Sequence, residues 1–469
     1  MTAGPEAPAG TRPAPRGLWQ RMSAAWRSGP LTVRNFQLLT GGQLASTVGD
    51  YCYIVALPWL VLSTHGGPVL LGTVLACYGV PRTVMIPLAG ILTDKIGART
   101  VMLTADVARC ALVAVMAVLA TRHTTSLAAL GPLAALIGAG EGMYIPASYT
   151  IMPSLLEPRQ LAAGNGINLA AMRAGSLLGP ALGGSLVAAV GSAPAFAVDA
   201  GSFAVSALTL ALLPRPRTKT VTARRGKAAK SAAGAGDIDR LTVRDLLRRS
   251  RAMQVFVLVT IVANLTGGGV AGVSLPALAH AHYGAGGYGV LLGCLAAGGL
   301  IGTLAAARTG SLRKPTIVAA FAFLVYAASM ALIPYVGGEA GAAAALFVFG
   351  GTQGLGNSIF FTAGQRWTPP YVLGRVFGLM MLCTFGTYPL SVALAGILVH
   401  HIGPTLFFPI AGAVTGAAFL GGLTQREYRE FGSALPDGSY LLAGLKGREE
   451  LVESPVTATA TAGGPDTGR

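Results

Sequence analysis

Charge is scarce in this chain of 469 residues. Asp, Glu, Lys and Arg make up 11% of it, where a soluble domain carries about 25%. Acids are the scarcer sign: 18 Asp and Glu stand against 34 Lys and Arg, a formal net charge of +16. With 52% hydrophobic residues, too little charge remains to clothe a soluble surface, and the composition is that of an integral membrane protein. Cysteine is rare too. Cys52, Cys77, Cys110, Cys294 and Cys383 all fall in apolar runs. An odd number without short spacings gives neither a disulfide framework nor a zinc site, and they read as small packing residues. The first 34 residues lack the compact apolar segment of a cleavable signal peptide. There is no phosphate-loop sequence, so ATP-driven pumping is not expected. The absence of a nucleophile elbow and of any other catalytic constellation argues against an enzyme. No cofactor is expected. His280, His282, His400 and His401 fall at helix ends as exposed loop residues, and no metal site is expected.

What the chain does have is twelve apolar runs, over 38–64, 68–93, 100–121, 127–151, 160–189, 193–213, 252–282, 287–308, 315–336, 341–365, 372–400 and 404–425. Each can cross about 30 Å of hydrocarbon. In lipid a backbone must satisfy its own hydrogen bonds, so these runs are predicted to be helices.

The basic residues are grouped. Of the 34, 12 lie between Arg215 and Arg251, five precede residue 38 and five follow residue 425. Loops after the even-numbered runs carry Lys95 and Arg99, Arg159, the basic linker, Arg313 and Lys314, and Arg366 and Arg375; the opposite loops carry Arg122 alone. Lys and Arg mark cytoplasmic segments, so both termini and the linker are expected in the cytoplasm, at the plasma membrane. The net charge is then accounted for by anionic lipid, and nucleic acid is not expected as a partner. The stretch 237–253 has leucines at helical spacing among arginines; it reads as either an amphipathic surface helix or a solvated linker.

The halves repeat. A shift of 212 residues lays GGSLVAAVG (183–191) on AGILVHHIG (395–403), pairing Gly184 with Gly396 and Gly191 with Gly403; it also pairs Gly90 with Gly302. A six-plus-six repeat is the mark of many transporters, with substrate held between the halves. The expected organisation is a tail (1–37), a six-helix bundle (38–213), a basic linker (214–251), a second bundle (252–425) and a second tail (426–469).

Between the second and third runs lies GILTDKIGART (90–100). Gly90 allows close helix contact, Asp94 can cap the next helix or pair with Arg99, and Gly97 permits a tight turn. By itself this is also an ordinary helical hairpin. The motif closely resembles the loop motif of the major facilitator superfamily, departing from it at Ala98 and, in the second-half copy, at Ala306. In the fifth run Gly166, Gly175, Gly179, Pro180, Gly183 and Gly184 are similar to the fifth-helix motif of drug:proton antiporters in that superfamily. The glycines suit close helix packing and the proline can kink the helix. Residues 35–62 and 153–166 resemble the branch holding bacterial siderophore exporters and macrolide-efflux proteins. The resemblance implies an all-α membrane protein of twelve transmembrane helices in two six-helix repeats, the major facilitator fold. It also implies a secondary transporter that exports a small amphipathic organic compound against protons by alternating access.

Charges inside the membrane are few. Residues 252–425 hold a single acid, Glu339, in an outer loop. Asp50, Arg82, Glu141 and Arg173 sit roughly 16–20 Å into their helices at about 1.5 Å per residue, near mid-membrane. A charge there costs about 3 kcal/mol or more. The four are read as a proton-coupling site, with Asp50 and Glu141 the proton carriers and Arg173 the fixed positive charge; the alternative is a static ion-pair network. Asp199 reads equally as a third carrier or as a polar residue near the outer interface. Asp106 and Arg109 are expected to join Asp94 in a gate cluster near the cytoplasmic end. Tyr53, Asn264, Gln353 and Asn357, with Tyr51, Phe360 and Phe361 close by, are expected to line a largely apolar substrate cavity. Asn264, Gln353 and Asn357 could equally hydrogen-bond between helices. The expected partners are a small-molecule substrate, protons and the lipid membrane, with the chain a monomer. The alternatives are a proton-coupled nutrient importer of the same fold and a non-transporting membrane receptor or scaffold. Trypsin should cut the 214–251 linker in inside-out vesicles and spare it in intact spheroplasts; cleavage from outside would reverse the orientation.

Overall fold

The computed structural model describes residues 29–64, 66–123, 125–214, 247–248, 250–309, 314–367 and 370–430. Most of the two tails and of the linker, including 237–246 of the stretch considered as a surface helix, lies outside the described residues. The described chain is helical, and no strand occurs in it. The long helices are α1 (Arg34–Ser63), α2 (Gly67–Ile96), α3 (Ala98–Thr121), α4 (Leu127–Leu155), α5 (Leu161–Val190) and α6 (Ser192–Leu212), then α7 (Arg251–His282), α8 (Gly284–Ala306), α9 (Pro315–Leu332) and α10 (Gly338–Trp367). The element Pro370–Thr424 turns at Gly403, which divides it into α11 (370–402) and α12 (404–424). A short α13 (Arg426–Glu430) follows.

Nine of the described helical stretches are long and apolar enough to cross a membrane, Arg375–Thr424 counting once. α5, diluted by glycines, asparagines and Arg173, and α10, diluted by glycines, Gln353 and Asn357, fall short by composition. They are nonetheless continuous helices of 30 residues each, held by packing against their neighbours. The fold is the expected all-α membrane architecture of twelve long helices. One feature is not legible in the sequence: α7 carries a π-helical turn, Val270–Ser274, at mid-length.

Sharp turns fall where glycine supplies a left-handed backbone. Gly97 (φ 86°) joins α2 to α3 and Gly191 (φ 86°) joins α5 to α6; its repeat partner Gly403 (φ 78°) joins α11 to α12. The 212-residue repeat also sets helix contact. A Cβ on Gly138 or Gly142 of α4 would strike the backbone of Tyr78 or Arg82 on α2. Their repeat partners Gly350 and Gly354 of α10 meet the backbone of Leu295 and Gly299 on α8 in the same way. Between the halves, Gly184 of α5 faces Ala285 and Gly289 of α8, while its partner Gly396 of α11 faces Pro68 and Gly72 of α2. Without side chains the backbones come close enough for dispersion contact over whole turns, which is how helices associate in lipid. The ring of Trp59 on α1 lies 4.9 Å from that of His280 on α7, at the same end of the molecule.

Gly302 and Gly299 separate two degrees of this crowding. A Cβ on Gly302 would collide with the Gly351 carbonyl, whereas one on Gly299 would rest 3.6 Å from the Gly350 carbonyl. Gly302→Val should cost about 1–3 kcal/mol or more through overpacking and reduce the monodisperse fraction after extraction; Gly299→Ala should match the parent on the same column.

Candidate functional site

The close approach of α4 to α2 sets the first pair. Because Gly138 and Gly142 bring the two backbones together, Glu141 between them meets Arg82, with Oε1 2.9 Å from Nη2. Both side chains are about one-fifth exposed, 23% and 20%. The Arg82 guanidinium also lies 4.9 Å from the Phe385 ring of α11 and 5.8 Å from that of Tyr78. Beside it, the Thr83 hydroxyl donates to the Phe385 carbonyl at 2.9 Å. The pair therefore stands at the boundary between the two halves.

The second group lies deeper within the first half. Arg109 of α3 is buried, its guanidinium 4.2 Å from the Phe203 ring and 4.7 Å from the Tyr144 ring. Gly140 of α4 makes room for it: a Cβ there would lie 2.9 Å from Arg109 Cγ. Held by two ring faces, the guanidinium meets Asp106 at 2.5 Å and Asp50 at 3.9 Å. The Ser206 hydroxyl of α6 donates to the other Asp106 oxygen at 2.6 Å. Asp106 is fully buried, whereas the Asp50 side chain is 42% exposed. One arginine thus bridges an enclosed acid and an open one.

This placement corrects several expectations. Asp106 and Arg109 belong with Asp50 in the interior charge group, because Arg109 lies far enough along α3 to reach α1. Arg99 instead donates to the carbonyls of Leu210 and Ala211 at 2.9 and 2.8 Å, where its charge suits the C-terminal end of α6. Asp94 is exposed at the end of α2, and Gly97 makes the tight turn. Gly90 faces open space rather than a close helix neighbour. Arg173 is exposed and forms no ion pair among the described residues; Arg82 and Arg109 hold the acids expected to pair with it. It interacts electrostatically with Tyr51 of α1.

The fifth-helix glycines divide by neighbour. Gly175, Gly179 and Gly183 face Thr47, Tyr51 and Cys52 of α1; Gly184 faces α8; Gly166 faces open space. α5 runs unbroken through Pro180. Of the residues expected around substrate, Tyr53 is buried edge-on against Phe196 of α6 at 5.5 Å, turned toward the interior of the first half. Asn264 donates to the Thr260 carbonyl of its own helix at 2.9 Å, Gln353 shares a hydrogen bond with Tyr326, and Asn357 is exposed. Phe360 is buried among Phe256 and Phe323, while Phe361 is exposed beside Phe377.

Two residues, Tyr144 and Tyr388, escaped sequence reasoning. Tyr144 stacks on Arg109. Tyr388 of α11 interacts electrostatically with Arg82 and lies beside Gly268 and Gly272, next to and within the π turn of α7. Asp199 of α6 is 1% exposed and adjoins Gly49, the neighbour of Asp50. Asp199 was legible as a candidate, an acid in an otherwise apolar run; the two tyrosines carry no such signal.

The comparisons agree with this architecture. At 28% identity, 80% of the chain matches 91% of the "Multidrug efflux pump Tap" of Mycolicibacterium fortuitum. At 25% identity, 81% of it matches 90% of the MFS-type transporter YfiS of Bacillus subtilis. Among solved structures, the fold is similar to that of the nucleoside transporter NupG, with a TM-score of 0.68 at 12% identity over 83% of this chain and 99% of that one. It is similar also to the D-xylose-proton symporter, with a TM-score of 0.63 at 14% identity over 82% and 96%. The family model described as Major Facilitator Superfamily matches residues 39–386, and the chain, a multi-pass transporter by fold and by sequence, belongs to that superfamily.

Proposed function

We propose that this transporter exports a small amphipathic organic compound from the cytoplasm across the plasma membrane in exchange for protons. The observation that carries the reading is the pair of partly exposed carboxylates, each facing an arginine near mid-membrane: Glu141 where the halves meet and Asp50 within the first half. A carboxylate there is costly unless paired or hydrated, and one that can be reached from outside the bundle can exchange a proton. Similarity to a protein named a multidrug efflux pump and the α5 glycines seated on α1 support export. Aromatic groups at the boundary, Tyr78, Phe385 and Tyr388, suit an apolar substrate body more than a sugar.

The cycle is alternating access. Contacts between the halves run from the end carrying the Gly191 and Gly284 turns to mid-helix. With the termini cytoplasmic, as the basic loops indicate, these contacts among the described residues correspond to an inward-facing state. Substrate enters beside Asp50 and Glu141, and proton arrival at these acids from the outer face resets the carrier. Arg99 ties the start of α3 to the C-terminal end of α6 at the inner face. The chain works as a monomer, since both halves of the site lie in one polypeptide.

Asp50→Asn and Glu141→Gln keep side-chain size and remove only the titratable charge. Each should reduce gradient-driven efflux of an amphipathic fluorescent dye, ethidium, by about 100-fold, the usual scale for losing a positioned proton carrier. Energy-independent dye equilibration across proteoliposomes should remain. Full gradient-driven efflux in both single variants and in the double variant would refute the proton-carrier assignment. Uptake of dye into energised cells, rather than extrusion, would favour the importer.

A further inference from the structure

Among the acids away from the ends of α1–α6, one has no basic partner among the described residues. Arg82 takes Glu141 at 2.9 Å, and Arg109 takes Asp106 at 2.5 Å while reaching Asp50 at 3.9 Å. Asp199 has no basic group within ion-pair distance among the described residues. It is 1% exposed. Its carboxylate meets the Ser202 hydroxyl at 3.4 Å, and that hydroxyl donates more closely to the Asp199 backbone carbonyl at 2.7 Å. An ionised carboxylate enclosed in this way is strongly disfavoured, and a carboxyl that keeps its proton avoids the penalty.

The surroundings give that proton a way out. α6 comes so close to α1 that a Cβ on Gly49 would lie 2.6 Å from Asp199 Oδ1, and Asp50 is the next residue. Tyr53 stands one turn further along α1, 8% exposed, its ring on Phe196 of α6. The Tyr53 hydroxyl is buried without a hydrogen-bond partner, on the same α1–α6 seam as Asp199, whose carboxylate lies against Gly49. An orphaned hydroxyl on the seam that holds a buried acid, one turn from Asp50 along α1, is a natural seat for bound water. The charged groups acting on Asp199 are Asp50 from α1, Arg109 from α3 and Glu141 from α4; on α5, which also packs on α6, Arg173 is exposed and unpaired among the described residues.

We propose that Asp199 is a further proton-carrying carboxyl of this transporter, beside Asp50 and Glu141, seated behind Asp50 on the α1–α6 seam and exchanging its proton with Asp50 through the Tyr53 hydroxyl and bound water. The proposal rests on the reading of Asp50 as a proton carrier. The step is balanced. Asp50 gains the proton that Asp199 gives up, the negative charge moves from Asp50 to Asp199, and the Arg109 guanidinium, which acts on both, offsets it in either position. Asp50, the open member, exchanges with the aqueous side; Asp199, the enclosed member, stores.

The test uses the full chain in lipid and the infrared C=O stretch of protonated carboxyl groups, which needs no substrate. At neutral pH the parent should show such a band; Asp199→Asn should abolish it and Asp50→Asn should leave it. No band lost in Asp199→Asn would overturn the proposal. Should Asp199→Asn insert poorly, Asp199→Glu gives the same decision: its band should move in frequency, and an unmoved band overturns the assignment. On transfer to D2O the band should shift at least about tenfold more slowly in Tyr53→Phe, which removes a positioned proton-transfer group; an unchanged rate overturns the route. Failure of the underlying reading is visible separately, as undiminished gradient-driven ethidium efflux in Asp50→Asn with the Asp199 band intact.

Discussion

The cost of holding charge in hydrocarbon orders the first half of this molecule. Away from the helix ends, α1–α4 and α6 carry four acids, Asp50, Asp106, Glu141 and Asp199, and two arginines, Arg82 and Arg109, and each ionised group must find an opposite charge, a hydrogen bond or water. The solution is graded. Glu141 and Arg82 pair at the boundary between the halves, Asp50 and Arg109 lean together at 3.9 Å, and Asp106 is fully enclosed with Arg109 and Ser206. The second half carries no comparable group: its one acid, Glu339, lies in the first turn of α10. The asymmetry suits a division of labour in which one half handles charge and the other supplies an apolar wall.

Glycine makes this arrangement possible. Gly142 lets α4 touch the backbone of Arg82, Gly140 leaves space for Arg109, and Gly49 admits Asp199 and Ser202. In each case the missing side chain is what allows a polar group from another helix to reach mid-membrane. The same device recurs 212 residues later, where Gly350 and Gly354 seat α10 on α8, but there it joins apolar surfaces. Repeat architecture and charge placement are thus separable: the backbone scaffold is shared, and the chemistry was added to one copy.

The π turn of α7 has a related physical meaning. It lies where Gly272 approaches Leu75, Tyr388 and Val392, so α7 loosens its hydrogen-bond ladder at the level of the boundary between the halves. π turns inside α-helices are frequent at functional sites. Tyr388 borders this turn and also faces Gly79 of α2, which places the turn at the contact between the halves, near the proposed coupling acids.

Much of this was legible in the amino-acid order. Long apolar runs must be helices in lipid, the 212-residue shift makes the halves alike, and glycines at Gly97, Gly191 and Gly403 mark turns that need a left-handed backbone. The depth of Asp50, Arg82 and Glu141 followed from residue count, since helical rise is constant. Rotation and partner choice did not follow, because they depend on which helix lies alongside. Arg173 has the same depth as Arg82 yet meets no acid, and Arg109 lies nearer its helix start yet reaches Asp50. Tyr53 turns toward Phe196, and Asp199, one polar residue in an apolar run, lies against Gly49. Only tertiary packing decided these, because an ion pair is set by distances of a few ångströms between helices far apart in sequence, and helical periodicity carries no information about them.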